Sequence, residues 1–330
     1  MATNRGYARR GRLLICAVAA LALTISACGN DDDQPGGAPK SATSVGMLTT
    51  ALPPVLDPRQ SSGLANGALL IALEPLVRYS NDGQFEPLLA AAIDTPNPKT
   101  YVITVRDDVR FWDGSPFTAE DAAFSIGLHT GADTESVNAS LFAAVTSVDV
   151  TAADQVTVSL AAPDPQFMGS LAQIGMVSKA FYQQNGKRVG TQDVLNLGTG
   201  PYEFGAFSPT SELTLKRHDD YWGETEPTLQ TVRLAVVGDD AARMNALQSG
   251  EYDGMMNVPL PQAASIGGLP NMQLAESADL SVYKFNLNVE TKPWDDVHLR
   301  RAFMLALDRD AIIAAALGGN ADLAPTIVPE

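Results

Sequence analysis

Residues 100–126 read TYVITVRDDVRFWDGSPFTAEDAAFSI. The first seven, 100–106, alternate apolar and polar side chains with period two, the pattern of a half-buried strand. Phe111-Trp112 then meets Asp113-Gly114, where a large ring packed on a core fixes a tight turn. Thr118 precedes a helical run and Asp121 stands three residues on, so a capping box is predicted to start a helix near Thr118. A strand, a turn and a capped helix within 27 residues point to an α/β protein.

The same alternation of elements continues on both sides. Towards the C-terminus, QVTVSL (155–160), PYEFGAF (201–207), ELTLKR (212–217) and TVRLAVV (231–237) read as strands. Asp239 or Asp240 caps a helix running through Leu247 and stopped by Gly250. LSVYKFNLN (280–288) reads as a further strand. Asp295 or Asp296 opens a helix with Leu299, Ala302, Phe303 and Ala306 on one face, and Asp308 caps another that ends at Gly318-Gly319. Towards the N-terminus, SVGML (44–48) reads as a strand and LANGALLIALE (64–74) as a helix with Ser61 and Ser62 as candidate caps. No repeat of fixed period appears, and the mixture predicts α/β with some antiparallel pairing.

Residues 29–43, GNDDDQPGGAPKSAT, form a polar tether without apolar periodicity. Before it, Arg5, Arg9, Arg10 and Arg12 precede the apolar run LLICAVAALALTISA (13–27), the layout of a secretory signal. The run is shorter than the ~20 residues that a spanning helix wants. "ISAC" places Cys28 where the bacterial lipoprotein signal, which this stretch resembles, has its lipidated first mature residue. An ordinary signal cut elsewhere and an N-terminal anchor helix are the alternatives. The other cysteine, Cys16, lies in the apolar run, so a chain processed at Cys28 holds no disulfide or thiolate cluster.

The 330 residues carry a formal charge of −16, and removing the four arginines of the signal leaves −20. Such acidity argues against nucleic acid and anionic headgroups as partners. About 300 residues suffice for one large or two medium domains. The sequence holds no GxSxG, HExxH or GxxxxGK[ST]. His129, His218 and His298 lie outside metal-ligand spacing of one another and read as surface or strand-end residues. GTGPYEFG (198–205) reads as a tight turn entering a strand, because Pro201 follows Gly200 directly. Asn138-Ala139-Ser140 matches a glycosylation sequon and reads as a chance match.

Four ordered stretches carry a resemblance: residues 56–92, with Leu56-Asp57-Pro58 and Glu74-Pro75-Leu76; residues 100–126; GTGPYEF followed by LKRHDDYWG; and FNLNVETKPWDDVHLRRAFMLALDRDAII (285–313). Together they resemble the family 5 extracellular solute-binding proteins, the oligopeptide, dipeptide and nickel-binding group of ABC importers. The resemblance implies a two-lobed, periplasmic-binding-protein-like α/β fold (type II-like) with an inserted subdomain. Lobe one would take 44–77 and 195–268, the insertion 78–194, and lobe two would begin at 269 and be incomplete at residue 330. It implies no enzyme, no cofactor and no protein metal site. It implies a lipid-anchored monomer outside the cytoplasmic membrane that captures a peptide and passes it to a permease and ATPase. A nickel chelate, haem, an opine, an oligosaccharide, or a sensor or adhesin role are the alternatives. Ser61, Ser62 and Gly63 match a loop lining the cleft, and Tyr283, Lys284 and Asn286 match a strand crossing between lobes. Lys284 meets an anionic ligand group on one reading and solvent on the other. With the rest of lobe two absent, Leu299, Phe303 and Ile313 would lack partners, and poor solubility or weak binding is predicted for the isolated chain.

Overall fold

The computed structural model describes residues 43–62, 66–80, 82–270, 272–276 and 282–324. Cys28 and Gly63 lie outside them. The chain runs β1 (Ser44–Thr49), α1 (Asn66–Leu70), β2 (Val77–Tyr79), β3 (Phe85–Pro87), β4 (Ala90–Asn97) and β5 (Thr100–Val105). There follow α2 (Ala119–Gly127), β6 (Val145–Ala152), β7 (Gln155–Leu160), α3 (Phe167–Leu171), α4 (Lys179–Asn185), β8 (Tyr202–Ser208), β9 (Glu212–Arg217) and β10 (Thr231–Val236). It closes with α5 (Asp240–Gln248), β11 (Gly254–Met255), α6 (Ala263–Gly267), α7 (Val297–Ala306) and α8 (Arg309–Ala316).

The stretch 100–126 folds as its pattern reads. In β5, Tyr101, Ile103 and Val105 are buried and their neighbours half-buried. The Thr118 hydroxyl accepts from Asp121 N–H, and the Asp121 carboxylate accepts from Thr118 N–H at 3.0 Å, so the capping box closes both ways. Ala119, Ala122 and Ile126 are fully buried against the sheet. That sheet is antiparallel, in order β4-β5-β7-β6. Each fully buried aliphatic such as Ile103 or Val156 contributes about 1.5–3 kcal/mol.

The second sheet has the order β11-β1-β10-β9-β8. β1 pairs in parallel with both β10 and β11, while β10–β9 and β9–β8 are antiparallel. β1 thus sits in a sheet whose other strands come from residues 202–255. β2 and β3 form a separate antiparallel hairpin.

Three expectations need correction. Of the helix placed over 64–74, residues 64 and 65 lie outside the described residues, and among the rest only Asn66–Leu70 is helical. The residue before a proline is disfavoured in α geometry, and Glu74 precedes Pro75. The helix has already ended at Leu70, and the Glu74 carbonyl accepts from Met176 N–H at 2.9 Å. The strand placed over 280–288 is absent over its described part, 282–288, which has no regular structure. No neighbouring segment pairs with it among the described residues, and an unpaired extended segment is not a strand. His129 is not at the surface but fully buried. Asp239, Asp296 and Asp308 do cap their helices, each carboxylate accepting a backbone N–H.

Candidate functional site

β1, β10 and β11 end at the same edge of their sheet, because all three are parallel. Open α/β sheets bind ligands outside the carboxyl ends of such strands. The backbone there is tied: Val237 N–H donates to Thr49 O at 2.9 Å and Met256 N–H to Leu48 O at 2.8 Å. Arg243 of α5 is almost wholly buried behind this edge. Its guanidinium donates to Val237 O at 3.0 Å and Asp240 Oδ1 at 2.7 Å, fixing the turn after β10.

The segment that leaves β1 reaches the predicted ligand loop. Asp57 and Arg59 close a ring on themselves: Arg59 N–H donates to Asp57 Oδ1 at 2.9 Å and the guanidinium reaches Oδ2 at 2.6 Å. The Asp57 side chain is 3% exposed, so this pair is largely shielded from water. Leu56 N–H donates to Gly190 O at 2.7 Å, and Asn196 Nδ2 donates to Leu56 O at 2.8 Å. Asn196 Nδ2 also reaches the Tyr182 hydroxyl at 3.2 Å, and burial pushes that phenol well above its ordinary value.

Ser61 is buried, and its hydroxyl has no hydrogen-bond partner among the described residues. Ser62, next in the chain, is exposed. Tyr283 is 71% exposed, and Lys284 and Asn286 are exposed beside it. Among the described residues no hydrogen bond joins Tyr283, Lys284 or Asn286 to Ser61 or Ser62. The predicted site therefore falls into two parts: a tethered loop after β1, and an open segment at 282–288.

Two groups that local sequence patterns did not single out define the interior near this loop. Glu74 is 4% exposed, yet its carboxylate accepts from Tyr221 Oη at 2.7 Å, Thr199 Oγ1 at 3.0 Å and Trp222 Nε1 at 3.0 Å. Burial raises its pKa above the ordinary value, and the three donors partly offset that. Trp222 also donates to Thr199 O, and Trp112 Nε1 donates to Gly200 O at 2.9 Å. Both rings thus anchor loops, as their turns imply. The other group is His129, whose Nδ1 lies 2.6 Å from Ser136 Oγ and whose ring stacks on Phe142.

Burial lowers the His129 pKa to about 4, with Asp57 opposing and Arg59 reinforcing the shift. The unfolded imidazole protonates near its ordinary 6.5. Between these values the unfolded chain binds a proton that the fold excludes. The His129 contribution is therefore complete above pH 6.5 and is lost as pH falls towards 4. The gap corresponds to on the order of 3 kcal/mol. Glu74 acts in the opposite sense: its raised pKa favours the fold most at low pH, and that favour fades as pH climbs above 4.5. Denaturant titration at pH 7 and pH 4.5 should show His129→Gln losing less stability on acidification than the wild type. An equal loss in both would show that another group drives the acid response.

Among the described residues, no three His, Cys, Asp or Glu side chains cluster as a metal site, and no helix is long and apolar enough to cross a membrane.

Residues 84–330 match the bacterial extracellular solute-binding proteins, family 5 Middle. The glutathione-binding protein GsiB of Salmonella typhimurium is 29% identical over 232 residues, which are 70% of this chain and 45% of GsiB. The chain spans about half the length of the curated relatives it matches. Two solved structures share its fold. One is AgaA of A. tumefaciens R10 in complex with agropinic acid, at TM-score 0.72 and 24% identity, over 84% of this chain and 56% of that one. The other is AppA of Bacillus subtilis in complex with a nonapeptide, at TM-score 0.74 and 20% identity, over 87% and 58%. At such identities the likeness establishes the architecture alone, that of the periplasmic binding proteins. With three-quarters of its residues covered by the family match, this chain belongs to the family 5 bacterial extracellular solute-binding proteins.

Proposed function

We propose that this chain captures a short peptide outside the cytoplasmic membrane and delivers it to the permease and ATPase of an ABC importer. One observation supports the reading: the loop that follows β1, residues 56–62, is fixed by hydrogen bonds from Leu56 to Gly190 and Asn196 and by the Asp57–Arg59 pair. A fixed loop suits an extended peptide, whose main chain offers the same donors and acceptors wherever its side chains differ. The glutathione for which GsiB is named and the nonapeptide of AppA favour peptides. Lobe one would comprise 44–77 and 195–268, with 78–194 inserted and lobe two beginning at 269. Ser61, Ser62 and Gly63 would face the ligand from lobe one, and Tyr283, Lys284 and Asn286 would meet it on closure. Hinge closure around a ligand is the characteristic motion of periplasmic binding proteins.

Calorimetric titration of the secreted gene product with glutathione, trialanine and a nonapeptide tests this reading. Saturable one-to-one binding of a peptide is expected. The agropinic acid of AgaA marks a second reading, an opine-type solute. Binding of agropinic acid with no response to peptides would replace the ligand class, and no response to any of the four would remove the capture role.

Cys28 would carry the lipid that holds the protein at the membrane, with residues 29–43 as the tether. A diacylated terminus anchors stably where a single chain holds only marginally. Cys28→Ala is therefore expected to move the protein from the membrane pellet to the soluble fraction. Retention of the variant in the pellet would show that the anchor lies elsewhere.

A further inference from the structure

Asn138 opens the sequon Asn138-Ala139-Ser140, and its surroundings give it a different task. It is 6% exposed, and its amide group is engaged twice. Nδ2 donates to Ser61 O at 2.9 Å and to Pro58 O at 3.2 Å, spanning the loop after β1. Two neighbours reinforce the grip: Val137 N–H donates to Arg59 O at 2.9 Å, and Gln60 Nε2 donates to Glu135 O at 3.0 Å. Residues 135–138 thus bind the loop 58–61 at every residue.

Asn138 is itself held. Its backbone N–H donates to Ser136 Oγ at 3.0 Å, and Ser136 Oγ lies 2.6 Å from His129 Nδ1. Ser136 Oγ accepts from Asn138 N–H and keeps both a hydrogen and a second lone pair, so it pairs with Nδ1 in either tautomer of the neutral imidazole. A buried chain runs from His129 through Ser136 and Asn138 to the carbonyls of Pro58 and Ser61. At its end stands the Ser61 hydroxyl, buried and without a partner among the described residues.

We infer that Asn138 is a positioning residue for ligand capture, fixing the Pro58–Ser61 backbone that presents the exposed Ser62 to the solute. The inference rests on the capture role proposed above. A loop fixed in its binding geometry loses less conformational freedom when the ligand arrives, which raises affinity without any direct contact. Glycosylation has no access to this amide in the folded chain, since it is buried and both hydrogens are engaged.

Asn138→Asp keeps the shape but sets a carboxylate against two carbonyl oxygens. Asn138→Ala removes the donors without that repulsion and serves if the first variant does not fold. Ile103→Val, in the core of the four-stranded sheet, is the control for mild loss of stability at a distance. Each is titrated with glutathione and trialanine well below its melting temperature, and amide exchange over residues 57–62 is followed without ligand. At least a tenfold rise in Kd and faster exchange at 57–62 are expected for the Asn138 variants, with neither in Ile103→Val. Unchanged affinity in a folded Asn138 variant would overturn the inference and leave the capture role standing. If the wild type binds neither probe, the capture role fails for these peptides, and the exchange result alone judges the grip: wild-type exchange in the variants overturns it.

Discussion

Glu74→Ala is expected to cost about 4 kcal/mol in urea unfolding, because one truncation takes a shared acceptor from three donors at once. The carboxylate is buried, and it is the shared acceptor for Tyr221, Thr199 and Trp222. Hydrogen bonds to a charged acceptor are worth about 1.5–3 kcal/mol each, and donors stranded in the interior add their own desolvation cost. Trp222 retains Thr199 O as a second acceptor, which limits the damage at that ring. The Tyr221 and Thr199 hydroxyls have no such substitute in the network. Glu74→Gln keeps one acceptor oxygen but turns the other position into a donor facing donors, and should lose about half as much. The consequence reaches beyond stability. Glu74 ties the start of the β2 hairpin to the turns before β8 and after β9, so its loss should loosen both. A loss below about 1 kcal/mol for Glu74→Ala would mean the carboxylate is not the hub that its contacts describe.

Gly198→Ala is the second large effect. An added Cβ would clash with Ala72 O and stand 2.9 Å from Trp112 Cη2. The Leu73 tip, also at 2.9 Å, could move aside, but the Ala72 main chain and the packed indole could not. The run 198–200 lies against residues 71–73, with Gly200 N–H donating to Ala72 O at 3.0 Å and Trp112 N–H donating to Gly198 O at 3.1 Å. Overpacking a tight core site costs about 1–3 kcal/mol, and a clash with main chain belongs at or above the top of that range. A drop of at least about 3 kcal/mol is expected, with Gly127→Ala as the control. Gly127 ends α2, is exposed, and a Cβ there meets nothing within 4 Å, so that change should be neutral or slightly stabilising. Equal stability of Gly198→Ala and the wild type would mean that the close approach of these two segments is not required.

The contrast between what the residues announced and what they concealed follows the range of the forces involved. The Thr118–Asp121 box, the Asp239, Asp296 and Asp308 caps and the period-two strands β5, β7 and β9 are set by neighbours a few residues away, so they were legible. β4 and β6 were missed because they are the edges of their sheet and largely exposed, which leaves no clean alternation of burial. The parallel pairing of β1 with β10 and β11 joins distant parts of the chain, and no local pattern encodes it. The same distance hid the Glu74 network and the grip of Asn138 on Pro58 and Ser61. One signal was available for Glu74: an acidic residue inside an apolar helical run asks for buried partners. Asn138 gave the opposite signal, since a sequon suggests a surface loop while the fold uses its amide inside. The ligand residues were reached through resemblance, not through any local chemistry. Hence the loop at 61–62 and the segment at 283–286 could be named but not joined.

The most direct measurement is amide exchange over residues 57–62 and 283–286 in the secreted gene product, with and without a saturating peptide identified by calorimetry. The account predicts slower exchange in both segments on binding, as the loop after β1 and the 282–288 segment come to face one ligand. Saturable binding with exchange at 57–62 unchanged would contradict it, because the solute would then be held somewhere other than the loop after β1.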